Sequence, residues 1–563
     1  VTKLVMSYVH GAGDIPLAGE TVGGLLDRVA AEFGADEALV SCHQSIRWSY
    51  AEFKREVDKV AAGLLALGLQ PGERIGIWSP NNAEWLLTMF GAAKAGLILV
   101  SLNPAYRTGE IEYCLNKVGC RALIVADRLK TSDYIAMMRE LAPEAADCRP
   151  GELHAGRLPE LTTLIHIGSG DEPGFLRFDA LAGLGGPPGR ARLVELAARM
   201  QFDDPVNIQF TSGTTGRSKA ATLTHHGVVN NAIFTGRICK LARGDRYALP
   251  VPMFHAAGML TVLMSVAFGG AVVMPAEMFD PLATMQAVSQ ELCSFIGAVP
   301  TMFVGMLNHP KFGSFDFSSL RTGYIGGAPC PVEIMKRLVG EMNLTDMTIV
   351  FGMTETSPVS FQARPEDTLE RRVTTCGQVH PHVEAKVVDL EGRVVPVGVP
   401  GELLVRGYLV MLAYWDDPER NAETIDAARW IHTGDLGTID ADGYCNIVGR
   451  AKDMLIRGGE NIFPREIEEF LYAHPSIGDV HVFGVPDDLM GEEVAAWVRL
   501  KHGAAVDEDA IRAFCAGRIA HYKIPRYIRF VQEFPTTASG KVQKFRMREA
   551  MIRQLGLVLQ RTA

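Results

Sequence analysis

Apolar residues near the start of the chain alternate between two spacings. In SYAEFKREVDKVAAGLLALG, Ser49 to Gly68, they recur every three or four positions. That is the period of a helix burying one face, and Gly68 suits its C-cap. RIGIWSP then runs its apolar residues together, as a short buried strand does. NAEWLLTMFGAAKAG returns to helical spacing, and LILVSLN and CRALIVAD give two more strands. Strands alternating with helices predict an α/β fold on a largely parallel sheet. Residues from about 140 to 195 are rich in Pro, Gly and Ala with weak periodicity, and read as a surface excursion. The alternation resumes at Val206. From about Gly377, GQVHPHVEAKVVDLEGRVVPVGVPGELLVRG holds short strand signals and turn residues, which predicts a small β-rich subdomain. After NIVGRAKDMLIRGG, the remaining 110 or so residues read as a separate α+β unit.

Length changes the picture first. A chain of 563 residues is too long for one core, and roughly two to four structural units are expected. The expected division is residues 1–449, a hinge at 450–453, and a lid at 454–563. Hydrophobic residues make up 47% and charged residues 21%, with a net charge of −10, which argues against a general nucleic-acid binder. Ten cysteines form no CxxC pair and no zinc-finger spacing, so a reduced, intracellular protein is expected. The first residues, VTKLVMSYVHGAGD, lack a secretory apolar core, and no apolar run is long enough for a membrane span. A cytoplasmic protein is the expectation. Charge is uneven near the end: residues 454–510 carry 4 basic and 12 acidic side chains, and residues 511–563 carry 11 basic and 2 acidic. A solvated face and a phosphate-meeting patch both fit that pattern.

Candidate chemistry centres on FTSGTTGRSKAATLTHHG, which follows the strand signal PVNIQF. Glycines let backbone N–H groups approach an anion, Ser and Thr add hydroxyls, and Lys219 adds charge. Such a segment suits a triphosphate, although a simple linker has the same composition. It is not a Walker A loop. GYIGGAPCP is a small-residue stretch against which a flat ring can lie. VFGMTETSP sets Thr354 beside Glu355 at a strand end, oxygen ligands of the kind Mg²⁺ prefers. HTGDLGTIDADGY places Asp435 in a turn, where a carboxylate takes two ribose hydroxyls or merely caps the turn.

Together and in this order, these segments resemble the AMP-forming adenylate ligases, which include acyl- and aryl-CoA synthetases, luciferases and peptide-synthetase adenylation domains. The resemblance covers roughly residues 20 to 555. It implies a large N-terminal domain of two α/β subdomains with a β-rich subdomain, and a smaller, mobile α+β C-terminal domain. FTSGTTGRSK is similar to the family's phosphate loop, which implies that Thr211, Ser212, Gly213, Thr214, Thr215, Gly216 and Lys219 meet ATP phosphates. Ser218 stands where proline is usual, and Ala220 where glycine is usual, which narrows the loop's freedom. YIGGAP implies Gly327, Ala328 and Pro329 beside the adenine. FGMTE implies stacking by Phe351 next to Gly352, a phosphate contact by Thr354, and Mg²⁺ on Glu355. Asp435 and Arg450 are implied for the ribose and Lys452 for the hinge. IRGGENIFP resembles the pantetheine-tunnel segment, with Gly458 and Gly459. PTTASGKVQK supplies Lys541 as the catalytic lysine.

Within the family, MFVGML, VRGYLVMLAYW and IAHYKIPRYIRF are most similar to the acyl-CoA synthetase family member 2 group of medium-chain fatty acid ligases. The resemblance implies ATP, Mg²⁺ and CoA, an acyl-adenylate intermediate, and an apolar acyl pocket. His255, Gly258, Gly297 and Ala298 are expected there, with His255 either gating the pocket or sitting in the core. Short thioether, branched and aromatic acids remain open as substrates. So do a carrier-protein thiol as acceptor and a non-catalytic nucleotide-binding regulator. Expected partners are these small molecules, with no nucleic acid and no transmembrane segment; a homodimer is left open.

Overall fold

The computed structural model describes residues 3–211, 218–328, 330–450, 453–457, 460–487, 489–536 and 542–557. The chain divides into two compact units. One comprises His10–Glu384 with Val405–Ile431, and the other Val1–Val9, Ala385–Leu404 and His432–Ala563.

The first unit is built on two large sheets. The eight-stranded sheet runs in the order Phe175–Arg177, Thr163–Ile167, Cys120–Ala126, Arg74–Trp78, Ile98–Ser101, Pro205–Thr211, Lys219–Thr224, Ala413–Tyr414. Its strands are parallel up to Pro205–Thr211 and antiparallel beyond it. The nine-stranded sheet runs Gln378–Val379, Val359–Gln362, Asp346–Gly352, Thr322–Ile325, Phe295–Ala298, Arg246–Ala248, Ala271–Met274, Glu37–Ser41, Ile46–Ser49. It is parallel in the middle and antiparallel at both edges. The α/β expectation holds, and the early elements fall where the spacing places them. Helix Tyr50–Ala66 opens with a capping box, in which Ser49 and Glu52 satisfy each other's backbone N–H groups. Gly68 takes a positive φ of 87° just beyond its end.

The stretch around 140–195 is not a surface excursion. Strand Thr163–Ile167 extends the first sheet, and helices Phe178–Leu184 and Gly186–Ala197 follow it. They approach helix Tyr50–Ala66 so closely that a Cβ at Gly63 would lie 2.2 Å from the Leu181 carbonyl oxygen. One at Gly185 would lie 2.4 Å from the Ala62 Cβ. Small residues create this contact, so an apolar-periodicity reading passes over it.

A five-stranded sheet, most of whose residues belong to the other unit, runs Tyr8–His10, Val383–Val388, Gly401–Gly407, Ile431–Ile439, Cys445–Arg450. This is the expected β-rich section, joined by an N-terminal strand. The α+β end has the strand order Glu460–Ile462, Leu455–Arg457, Gly491–Leu500, Ile477–Asp487, with Tyr527–Phe530 parallel to Gly491–Leu500. Along Gly491–Leu500 the period of two divides the residues. Val494, Ala496 and Val498 join a core with Ile467, Leu471 and Ile511. Ala495 and Trp497 join another with Met547 and Met551. The two charge-biased stretches meet here. Lys544 bonds Glu468 at 2.6 Å, Arg548 bonds Glu492 at 2.7 Å, and Arg526 bonds Asp487 at 3.0 Å. Much of the basic half is therefore engaged inside the fold rather than presented as a patch.

Candidate functional site

Strand register gathers, in the first unit, described residues expected on the phosphate side. Pro205–Thr211 and Lys219–Thr224 are antiparallel partners, with Thr211 opposite Lys219. Ala413–Tyr414 continues the sheet, with Tyr414 opposite Ala221. Residues two apart share a face, so Thr211, Lys219 and Tyr414 project to the same side. The Lys219 ammonium accordingly lies 4.9 Å from the centre of the Tyr414 ring, a cation–π contact. Ala220 belongs to this strand rather than to the loop. It is buried and pairs with Phe210; the loop whose freedom it was expected to narrow lies outside the described residues. Ser218 is anchored through its carbonyl, which accepts from the Tyr113 hydroxyl at 3.0 Å.

Glu355 reaches the same place from the second sheet. Strand Asp346–Gly352 ends in a 3₁₀ turn, Thr354–Thr356. The Glu355 carbonyl accepts from the Met411 N–H at 2.9 Å, which fixes the turn. Its side chain is only 5% exposed. Oε1 accepts from the Tyr414 hydroxyl at 2.7 Å and from Thr211 Oγ1 at 3.4 Å. Burial, and then the Glu355 charge, raise the Tyr414 pKa, so the phenol stays protonated and donates. Among the described residues no cation pairs with Glu355 and no hydrogen bond reaches Oε2. Nor do the described residues contain a group of three or more His, Cys, Asp or Glu that would hold a metal alone. A single carboxylate flanked by hydroxyls fits Mg²⁺ that arrives with phosphate and water as its other ligands.

The expected adenine seat is a backbone feature. Gly327 has a φ of +79°, which glycine adopts freely. A Cβ at Gly326 would lie 2.6 Å from Val350 Cγ2, and one at Gly352 would lie 1.9 Å from the Pro358 carbonyl oxygen. Gly327, Ala328 and Gly352 are exposed, whereas Phe351 and Thr354 are half-buried.

The expected acyl residues converge around Tyr324. Gly297 and Tyr324 face each other across parallel strands, and a Cβ at Gly297 would lie 2.6 Å from that ring. The Tyr324 hydroxyl reaches Thr261 Oγ1 at 2.8 Å and the Ala257 carbonyl at 3.0 Å. Ala298 is buried beside it. His255 is exposed at the N-cap of helix Ala256–Ala267, where its Nδ1 accepts from the Ala257 N–H at 3.4 Å. Gly258 lets the helix approach Pro252, whose carbonyl oxygen would be 2.4 Å from a Cβ there. The space freed by Gly258 and Gly297 is thus taken up by protein.

In the other unit, Asp435 and Arg450 are direct partners across antiparallel strands, joined at 3.0 Å. Asp435 is buried and Arg450 half-exposed. Gly434 of the TGD segment has a φ of +70° in open space, so backbone conformation is what requires glycine there. Ser212, Gly213, Thr214, Thr215, Gly216, Pro329, Lys452, Gly458, Gly459 and Lys541 lie outside the described residues. Tyr414 and Tyr324 were not singled out from the sequence. Their only local signal is an aromatic residue within a run of small or apolar ones, and their roles follow from pairing with distant strands.

Known proteins resemble the chain along almost its whole length. A family model described as AMP-binding enzyme matches residues 26–415, and one described as AMP-binding enzyme C-terminal domain matches 466–541. The medium-chain acyl-CoA ligase ACSF2, mitochondrial, of Danio rerio is 45% identical over 562 residues, covering 99% of this chain and 92% of that protein. The putative acyl-CoA synthetase YngI of Bacillus subtilis is 42% identical, covering 95% and 98%. The crystal structure of the anthranilate CoA ligase AuaEII in complex with anthranoyl-AMP superposes with a TM-score of 0.84 at 27% identity, covering 97% and 99%.

Proposed function

The chain belongs to the AMP-binding enzymes and is an AMP-forming acid–thiol ligase, and we propose that it joins a hydrophobic, medium-chain carboxylic acid to CoA. The observation that carries this reading is the convergence of Thr211, Lys219 and Glu355 where two sheets meet. A buried carboxylate with no cation among the described residues, beside a lysine and hydroxyls, suits a polyphosphate accompanied by a divalent ion.

In the first half-reaction, the substrate carboxylate attacks the α-phosphorus of ATP. The P–O bond to pyrophosphate breaks and an acyl-adenylate forms. The protein supplies position and charge rather than a nucleophile. Thr211 and the hydroxyls and N–H groups of Ser212, Gly213, Thr214, Thr215 and Gly216 cradle the phosphates. Lys219 meets the β- and γ-phosphates, Thr354 the α-phosphate, and Lys541 the charge that develops during transfer. Mg²⁺, when bound, neutralises phosphate charge, and Glu355 would hold it. Phe351 stacks on adenine over Gly327, Ala328, Pro329 and Gly352, while Asp435 and Arg450 take the ribose. In the second half-reaction the CoA sulfur attacks the acyl carbonyl and AMP leaves. Residues 1–449 then act as the main domain, 450–453 with Lys452 as a hinge, and 454–563 as a lid. Gly458 and Gly459 let pantetheine pass. His255 borders the acyl chain, and Gly258, Gly297 and Ala298 form the packed wall behind it.

The names of the ACSF2 relatives support the medium-chain reading, as does the apolar character of the expected pocket segments. A reducing compartment, the cytoplasm, is supported by ten cysteines free of disulfides. The animal relatives are named as mitochondrial proteins. No helix among the described residues is long and apolar enough to cross a membrane. Sedimentation distinguishes a monomer from a homodimer.

The test offers ATP, Mg²⁺ and CoA with straight acids from C2 to C16 and with branched, thioether and aromatic acids, detecting thioesters by mass. A maximum at medium-chain acids is expected, and a maximum at aromatic acids would replace that substrate class. Pyrophosphate release without thioester would point to a carrier-protein thiol as acceptor.

A further inference from the structure

Lys219 and Glu355 carry opposite charges and contact the same side chain, yet they form no ion pair among the described residues. Tyr414 stands between them. Its ring carries the Lys219 ammonium at 4.9 Å, and its hydroxyl donates to Glu355 Oε1 at 2.7 Å. The tyrosine itself is clamped. Asn421 accepts from the Tyr414 N–H at 2.6 Å and donates to its carbonyl at 2.9 Å. The ring is almost fully buried, at 2% exposure.

We infer that Tyr414 is a positioning residue that keeps the two charges apart, holding Lys219 on its face and Glu355 at its hydroxyl so that neither neutralises the other. Without the ring, the half-exposed ammonium and the buried carboxylate would attract, and the burial of Glu355 limits screening by water. The pair would close, and each partner would be withdrawn from its ligand. With the ring present, the lysine keeps an attractive surface that does not consume its charge. The phenol occupies one carboxylate oxygen and leaves the other available. The inference rests on the reading of Glu355 as holder of the divalent ion and of Lys219 as a phosphate contact.

The test is calorimetric binding of an α,β-methylene ATP analogue with and without Mn²⁺. The ratio of the two affinities isolates the metal's contribution and needs no turnover. Glu355→Gln should bring the ratio close to one. A ratio unchanged from wild type there would remove the metal reading itself. Tyr414→Phe keeps the ring and should hold the ratio within roughly threefold. Tyr414→Leu should lower it about tenfold, in line with a charged hydrogen-bonding partner lost to a competitor. Adding Lys219→Met to Tyr414→Leu should restore the ratio to that of Lys219→Met alone, because the competing cation is gone. Were the single and double variants equally low, or Tyr414→Leu unchanged while Glu355→Gln falls, the spacer role would be wrong and the metal reading would stand. Thermal melting checks folding, and Tyr414→Met, bulky but without an aromatic face, replaces the leucine variant if that one unfolds.

Discussion

Glu355 and Glu468 are both buried carboxylates, 5% and 8% exposed, one in each compact unit. Glu468 has its own cation. It accepts from Lys544 Nζ at 2.6 Å and from the Val482 N–H at 2.7 Å. Glu355 has hydroxyl donors, Tyr414 and Thr211, and no cation among the described residues. Burying a charge is costly unless it is paired. Glu468 meets that cost within the fold and acts as structure. Glu355, on the function proposed for it, leaves part of that cost to a cation that arrives with a ligand. The distinction lies in partners rather than in burial.

Four measurements bear on the contrast. The largest effect is expected where the site depends on charge brought from elsewhere in the chain. Lys541→Ala should lower adenylation by about 10²–10³-fold, while thioester formation from supplied acyl-adenylate is spared; equal loss in both half-reactions would end that division of labour. Glu355→Gln should lower adenylation by about 10²-fold with little change in melting temperature, since it removes a buried charge that has no cation partner among the described residues. Glu468→Gln should do the reverse. It should destabilise its unit by about 3 kcal/mol, because Lys544 is left without its buried partner, and a melting curve coincident with wild type would erase the contrast.

The smallest effect expected of a single side chain is a pH dependence in the unit that holds Glu355. Burial lowers the pKa of His225 to about 4 and that of His380 to about 3. Neutral His225 accepts the Val22 N–H on Nδ1 at 3.0 Å, and His380 Nε2 lies 3.1 Å from Gln362 Oε1. With both folded values depressed, the unfolded chain takes up the protons first. Their stability contribution is full above the unfolded value of about 6.5 and is lost as the pH falls toward the folded values. Each should cost about 2 kcal/mol between pH 7 and pH 5. His380→Met should flatten the fall of melting temperature over that range, and an unchanged slope would show that the ring does not titrate there.

What could be read in advance depended on how local the cause was. Helix Tyr50–Ala66 was legible because its spacing and capping box lie within its own sequence. Asp435 and Arg450 were each singled out for the ribose, but their mutual pairing across two antiparallel strands was not read in advance. Helix Gly186–Ala197 was missed because only Leu193 and Leu196 of it are buried, too few to show an apolar period, and the rest of its contact runs through Gly185 and Gly189 against Ala62. Tyr414 was missed because its neighbours, Lys219 and Glu355, are nearly 200 and about 60 positions away and meet it only through sheet register. The charge bias of the last stretch was visible, but its meaning was not, since strand pairing decides which charges meet.

That bias has a consequence for the covalent chain itself. Residues 454–510 are strongly acidic and residues 511–563 strongly basic, and each half supplies strands or helices the other covers. A nick in the connection around Ala504–Val506 would leave two fragments that attract over distance and fit along pre-matched ion pairs. The α+β end is therefore a natural place to divide the enzyme into two genetically separable pieces that rebuild one another.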